Sequence, residues 1–154
     1  VANNDPAACY PSAVLGLGAT VITNRREIAA DDFFVGMYTT ALDEGEIITA
    51  VRFPIPKRAA YMKFKQPASR FSLVGVFVAQ FDAGVRVAVT GASSCVFRHA
   101  GLEAALSGSF TPQAAAAVVI DASDLNADLH ASAAYRANLI SVQTQRAVAK
   151  MTGA

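Results

Sequence analysis

A pair of extended segments joined by a tight turn constrains the fold of this 154-residue chain more than any other feature. Residues Ser72 to Phe81 form an apolar run typical of a central strand, and the turn sequence at 82–84 leads into Val85 to Thr90. Just before them, in residues 60–65, apolar and polar side chains alternate as in a half-buried strand. The sequence therefore predicts an antiparallel sheet in the middle of the chain.

The last third of the chain is predicted to be helical. A short helix runs from Gly101 to Leu106, a second opens at Thr111 and Pro112, and a long one runs from Ser132 to near Met151. In the long helix, apolar side chains recur near one face, so we expect it to pack on the sheet. Because strands are followed by helices rather than alternating with them, the predicted fold class is α+β.

Shorter elements are predicted before the sheet. Asp5 is expected to cap a helix that has Pro6 at its first position and ends at Gly18. Short strands follow, and a brief helix is predicted to contain Phe33, Phe34 and Met37. The prolines at 54 and 56 cannot serve a central strand, so we place a domain boundary there, between residues 1–56 and 57–154.

The composition excludes several classes of protein. With 53% hydrophobic and 16% charged residues, the chain is not intrinsically disordered. Thirteen basic and twelve acidic side chains leave a net charge of +1, which argues against a dedicated nucleic-acid-binding protein. No apolar run approaches the roughly 20 residues of a membrane span.

The cysteines and histidines do not form a recognisable motif. Cys9 and Cys95 lie far apart without a CxxC spacing, and His99 and His130 are isolated. We therefore predict no disulfide and no metal site, and we expect a reducing, cytoplasmic setting.

Two segments could carry chemistry. The polar turn from Asn3 to Cys9 is predicted to lead into a helix, and its backbone N–H groups and Asn3 could bind an anion; alternatively, Asp5 simply caps the helix. In the second segment, Lys65 and Arg70 flank a loop between two strands, which suits an anionic ligand or a charged partner. The alternative for this segment is a solvated sheet edge.

Five segments, taken in order, resemble one protein family. They are NNDPAACYPSAVLGLGATV, ADDFFVGMYTTALDEGEIITAVRFPIP, KFKQPASRFSLVGV, RVAVTGASSCVFR and AAYRANL. The family is the FAD-binding medium subunit of the molybdenum hydroxylases, of the aerobic carbon monoxide dehydrogenase and xanthine dehydrogenase type. The resemblance implies an oxidoreductase subunit that passes electrons from iron-sulfur clusters through FAD to an external acceptor. It also implies two partners, a molybdopterin-binding large subunit and a small iron-sulfur subunit.

The resemblance also implies how the chain is organised. Residues 1–56 would be the last part of an α/β FAD-binding subdomain, and residues 57–154 the C-terminal domain of the carbon monoxide dehydrogenase flavoprotein. The family's glycine-rich phosphate loops are missing, so we expect the chain to be the C-terminal part of a longer subunit and to be inactive alone. The alternative is a non-catalytic docking module that binds partner subunits and holds no flavin.

Four residues match positions that bind FAD in the family. Asn3 falls where the family has a residue near the FAD pyrophosphate, and Asp5 lies in the same turn, whereas Cys9 stands where many relatives have Asp. Ile48 resembles the apolar residue against the isoalloxazine, and Lys65 the lysine beside the flavin ring. An ammonium group there would stabilise the negative charge of a reduced flavin. No catalytic acid or base and no metal ligand is expected, and the turn and the lysine strand should converge on one flavin.

Overall fold

The computed structural model describes residues 1–153. In chain order its elements are α1 (Tyr10–Gly16), β1 (Thr20–Thr23), β2 (Glu27–Ala29), α2 (Ala30–Phe33), β3 (Phe34–Gly36), β4 (Thr39–Thr40), β5 (Ile48–Arg52), β6 (Arg58–Lys65), β7 (Ser72–Phe81), β8 (Gly84–Thr90), β9 (Phe97–Arg98), α3 (Ala100–Gly108), α4 (Pro112–Ala116) and α5 (Ala133–Thr152).

A small antiparallel sheet forms the centre of residues 1–56, which we call the N-terminal unit. Its strand order is β2-β1-β5. Helix α2 packs on β1 and β2, and the β3–β4 hairpin follows it. The side chains of Val14, Leu15, Val21, Ile28 and Phe33 form the buried core of this unit.

A four-stranded antiparallel sheet with the order β6-β7-β8-β9 organises residues 57–153, the C-terminal unit. Helix α5 packs across β6 and β7, and α3 packs on β8. The helices pack on the sheet because this buries the apolar face of the strands, whose β-branched side chains fit a pleated surface. The fully buried residues of β7 and β8 on this face are Val74, Val76, Val78, Val87 and Val89. The predicted hairpin, antiparallel sheet and α+β class are confirmed.

Helix α1 lies on the other face of the larger sheet. Val76 and Val78 point into the core beneath α5, whereas Phe77 between them touches α1 at Gly16. A β-carbon at Gly16 would lie 2.7 Å from the Phe77 ring, so the close approach requires glycine. The larger sheet is therefore covered on both faces, by α5 on one and by the N-terminal unit on the other.

Helix α1 begins at Tyr10, so the predicted start at Pro6 was wrong. Asp5 does not cap the helix: its Oδ1 accepts a hydrogen bond from the Ala7 N–H at 2.9 Å, within a local turn. Residues 6–8 stay outside the helix because the carbonyl groups of Pro6 and Ala8 accept hydrogen bonds from the end of β8. A tertiary contact has overridden the local signal for a helix start.

Residues 34–40 form the β3–β4 hairpin, so the prediction of a helix through Met37 was also wrong. The buried side chain of Asn4 holds this hairpin. Its Nδ2 donates hydrogen bonds to the carbonyls of Gly36, at 2.6 Å, and Thr39, at 2.9 Å. These partners lie more than thirty residues away in the chain, beyond the reach of a local pattern.

Candidate functional site

The four predicted cofactor-binding residues lie in three different places. Asn3 is exposed and Asp5 half-buried in the turn of residues 3–9, which we call the N-terminal turn. Lys65 is exposed at the end of β6. Ile48 lies in β5, where its half-buried side chain packs against the core of the N-terminal unit.

The end of β6 lies directly against the N-terminal turn. The ammonium group of Lys63 donates a hydrogen bond to Cys9 Sγ at 3.3 Å and another to the Arg70 carbonyl at 3.1 Å. Lys65 pairs in the sheet register with Ser72, whose hydroxyl is 3.6 Å from the same sulfur. The lysine strand and the turn are therefore on the same side of the molecule.

A loop closes the β6–β7 connection beside this contact. The N–H of Gln66 donates to the Phe71 carbonyl at 2.8 Å, and the N–H of Arg70 donates to the Gln66 carbonyl at 2.9 Å. Arg70 adopts a φ of +64°, in the left-handed region that is uncommon for a residue with a side chain. The loop is thus ordered by its own backbone, and Lys63 reaches across to its far end.

The polar neighbours of Cys9 lower the pKa of its thiol. Burial raises the pKa of Cys9, but hydrogen bonds with Tyr61, Ser72 and Lys63, together with the positive charge of Lys63, outweigh burial and leave this pKa below its ordinary value. Tyr61 shows the opposite shift: burial and its contact with Cys9 raise its pKa, and its hydroxyl lies 2.8 Å from Ser72 Oγ. The surroundings of Cys9 therefore make its thiol more acidic than that of an isolated cysteine.

A cleft of about 390 Å³ opens at this cluster, and we call it the Cys9 cleft. Its lining residues are Val1, Ala8, Cys9, Tyr10, Lys63, Ser69, Arg70 and Phe71. Two of them are cationic, and the aromatic side chains of Tyr10 and Phe71 are largely exposed. Cations beside exposed aromatic rings suit a ligand that carries both negative charge and a flat ring system.

A larger cleft of about 600 Å³ lies elsewhere, between the end of α1, the β7–β8 turn and α3. Its charged groups are already paired within the protein. Arg86 donates to Asp31 at 2.8 Å, and Arg98 donates to Glu103 at 2.6 Å. Since these ion pairs leave no free charge to recognise a ligand, the Cys9 cleft is the better candidate for a functional site.

Sequence reasoning identified the two segments that meet at the cluster but did not select most of the residues that form it. Lys63, Tyr61 and Ser72 were not selected, although the alternation along β6 places Tyr61 and Lys63 on one face, and this signal could have found them. None of the four predicted residues is among those that line the Cys9 cleft: Asn3, Asp5 and Lys65 lie in the segments beside it, and Ile48 lies in β5. Among residues 1–153, no group of three or more His, Cys, Asp or Glu side chains could hold a metal ion, and no helix has both the length and the hydropathy to cross a membrane.

Comparison with known proteins identifies relatives for the whole chain. Residues 1–56 match the family described as the FAD binding domain in molybdopterin dehydrogenase. The chain is 35% identical to the nicotine 6-hydroxylase medium subunit of Paenarthrobacter nicotinovorans and 27% identical to the carbon monoxide dehydrogenase medium chain of Hydrogenophaga pseudoflava. Each alignment covers 96% of this chain and 57% of the relative. The chain thus spans a little more than half the length of these relatives.

The solved structures agree with the sequence relatives. Carbon monoxide dehydrogenase from Hydrogenophaga pseudoflava, in a form that lacks the Mo-pyranopterin moiety of its cofactor, matches with a TM-score of 0.82 at 27% identity. This match covers 99% of the present chain and 58% of the other. A match to reconstituted carbon monoxide dehydrogenase from Oligotropha carboxidovorans, with a TM-score of 0.83 at 24% identity, supports the fold alone. In sequence and fold, the chain is similar to part of the FAD-binding medium subunits of the molybdenum hydroxylases.

Proposed function

We propose that this chain is part of an FAD-carrying electron-transfer subunit of a molybdenum-dependent oxidoreductase. In this role it passes electrons from iron-sulfur clusters through FAD to an external acceptor. The observation that carries the proposal is the meeting of the N-terminal turn with the lysine end of β6 at the Cys9 cleft. The match of residues 1–56 to an FAD-binding family supports it independently.

The residues of the Cys9 cleft fit FAD in chemical type. Lys63 and Arg70 bring positive charge to the cleft, and Tyr10 and Phe71 bring exposed aromatic surface. A dinucleotide with a diphosphate and two aromatic ring systems matches this combination. When bound, FAD supplies the redox chemistry, and the protein's part is to position and charge-stabilise it.

Each of the four residues selected from the sequence has a defined task in the proposal. Asn3 and the N–H groups of the N-terminal turn hold the diphosphate, and Asp5 shapes that turn through its bond to Ala7. Lys65 places an ammonium group beside the flavin ring. Ile48 provides apolar surface against the ring, an assignment that rests on the family resemblance alone.

Lys63 joins this set because of its position. It lies two residues before Lys65, and its ammonium group is held between Cys9 and the carbonyl of Arg70. A fixed positive charge costs little reorganisation when negative charge appears nearby, so Lys63 adds to the charge stabilisation assigned to Lys65. No residue of the chain acts as a catalytic acid, base or metal ligand in this proposal.

The wider organisation is proposed on the same basis. Residues 1–56 complete an FAD-binding subdomain, and the rest of the chain forms the C-terminal domain. The partners are a molybdopterin-binding large subunit and a small iron-sulfur subunit, which carry the other cofactors. The two cysteines are free, in keeping with a reducing cytoplasmic compartment.

Absorption spectra test whether the protein holds flavin. The complete medium subunit and the present chain are each purified, passed through a gel-filtration column and examined in the visible range. We expect flavin bands to remain with the complete subunit. If the complete subunit elutes colourless and cannot be loaded with FAD, the proposal is wrong, and the alternative of a docking module without flavin is favoured.

A substitution tests the role of Lys65 in the complete subunit. Lys65→Met removes a positive charge beside the flavin, so we expect a lower flavin reduction potential, because the reduced and more negative form loses stabilisation. Lys57→Met is the matched control, since Lys57 precedes the opposite end of β6 and pairs with Asp82 at the surface. Spectroelectrochemical titration measures the potential, and equal potentials in the two variants would contradict the role of Lys65.

A further inference from the structure

Thr90 attaches the middle of the N-terminal turn to the larger sheet. The Thr90 hydroxyl lies 3.0 Å from the carbonyl oxygen of Pro6 and 2.8 Å from that of Ala8, and it can donate its proton to either. The side chain is fully buried at the end of β8. The N–H of Gly91 donates a further hydrogen bond to Pro6, at 2.7 Å.

These contacts replace the hydrogen bonds of a helix. Pro6 and Ala8 precede α1, so their half-buried carbonyl groups take donors from outside the helix. Thr90 and Gly91 supply those donors from a position more than eighty residues away. The sheet therefore fixes the path of residues 6–8, in addition to the local hydrogen bond from Ala7 to Asp5.

Helix α5 holds the end of β8 that carries Thr90. The guanidinium of Arg136, in the first turn of α5, donates to the carbonyls of Leu73 at 2.8 Å and Gly91 at 2.9 Å. Gly91 has a φ of +82°, and a β-carbon there would run into the carbonyls of Ser72 and Leu73. Consequently the position of Thr90 cannot drift without disturbing α5.

We infer that Thr90 is a positioning residue for the cofactor, an inference that rests on the proposed function. The turn that Thr90 anchors carries Asn3 and Asp5 on one side of the anchored segment and Cys9 on the other. Loss of the anchor changes none of the proposed contact residues chemically, but it lets the turn that carries Asn3 and Asp5 move relative to Lys63 and Lys65. The expected consequence is weaker FAD binding in a protein that remains folded.

Three variants of the complete medium subunit separate positioning from general stability. Thr90→Val keeps the shape and removes the hydroxyl, Thr90→Ser keeps the hydroxyl, and Thr144→Val is the matched control. Thr144 is equally buried, but its hydroxyl donates within α5 to the carbonyl of Ile140. We expect the FAD dissociation constant to rise about tenfold in Thr90→Val and to change little in the other two.

A second measurement needs no cofactor. Amide hydrogen exchange of the apoprotein should be faster within residues 5–9 in Thr90→Val, and unchanged there in Thr144→Val. Equal FAD affinities in the Thr90→Val and Thr144→Val variants would overturn the inference, as would a Thr90→Ser variant that binds FAD as weakly as Thr90→Val. If Thr90→Val does not fold, Thr90→Ala, which also removes the hydroxyl, takes its place in both measurements. Absence of FAD binding in the unmodified subunit is a different result, which refutes the proposed function, while the exchange data still report on the anchor.

Discussion

The N-terminal and C-terminal units are each stabilised internally by a different kind of interaction. The C-terminal unit has long strands and a large buried core of valine, leucine and isoleucine side chains. The N-terminal unit has strands of two to five residues and a smaller apolar core, and buried polar side chains link its loops. The proposed cofactor site lies where the two meet. A rigid sheet thus provides the support, and specific hydrogen bonds place the residues that contact a ligand.

The polar links of the N-terminal unit are concentrated at two residues. Asn4 joins the N-terminal turn to the β3–β4 hairpin, and Glu46 joins the loop before β5 to β1 and its turn. The Glu46 carboxylate accepts hydrogen bonds from the hydroxyl of Thr23 at 2.7 Å, the guanidinium of Arg26 at 3.0 Å and the N–H of Asp43 at 2.9 Å. The comparison predicts that the first unit responds to loss of polar groups and the second to loss of apolar volume.

The largest effect is expected from a cavity in the C-terminal core. Ile140 is fully buried in α5, so Ile140→Ala should lower the free energy of unfolding by about 3 kcal/mol. Val119→Ala is the control, because Val119 is 92% exposed and its loss should change stability by less than about 0.5 kcal/mol. Chemical denaturation measures both, and equal losses would show that the valine-rich core does not dominate this unit.

A somewhat smaller loss is expected from the N-terminal hairpin anchor. Asn4→Ala removes two hydrogen bonds and leaves the carbonyls of Gly36 and Thr39 without their donor, at a cost of about 2 kcal/mol. Asn4 also has a φ of +42°, which alanine tolerates less well. Asn3→Ala serves as the stability control, since Asn3 is exposed. A melting temperature equally affected by both changes would break the comparison between the units.

The smallest expected effect is a dependence of stability on pH, which arises from Glu46 in the N-terminal unit. The hydrogen bonds from Arg26, the Asp43 N–H and Thr23 lower the pKa of Glu46 from 4.5 to about 2. Because the pKa is depressed in the folded state, this carboxylate contributes stability above pH 4.5 that is lost as the pH falls from 4.5 towards 2. The Glu46→Gln variant should be less stable at neutral pH and should lose stability less steeply in this range. Thermal melts of both proteins from pH 6 to pH 2 measure the difference, and parallel curves would contradict the assignment.

Much of the fold could be predicted because its signals are local. The turn at 82–84 and the apolar runs beside it identified the β7–β8 hairpin, and Ser132 identified the start of α5, where its hydroxyl accepts from the N–H of Tyr135 at 3.2 Å. Alternation along β6 predicted which side chains would face the core. Gly18, with a φ of +61°, ended α1 as its residue type suggested.

The candidate site was harder to predict from the sequence, because its contacts join residues that are far apart in the chain. Lys63 and Cys9 meet although they are 54 residues apart. Asn4, which is buried, and Asn3, which is exposed, are neighbours of the same type, and no local pattern distinguishes their roles. The predicted helix start was wrong for a related reason. Asp5-Pro6 is a typical start of a helix, but the carbonyls of Pro6 and Ala8 accept hydrogen bonds from Thr90 at the end of β8.

The amino-acid sequence by itself determined the α+β class, the central hairpin, the long final helix and the family resemblance, because hydrophobic periodicity, turn residues and ordered motifs are local properties of the chain. Only the tertiary structure decided where the N-terminal turn lies, which lysine meets Cys9 and what supports Thr90. Those outcomes depend on hydrogen-bond donors that distant segments bring together only after the sheet and α5 have assembled.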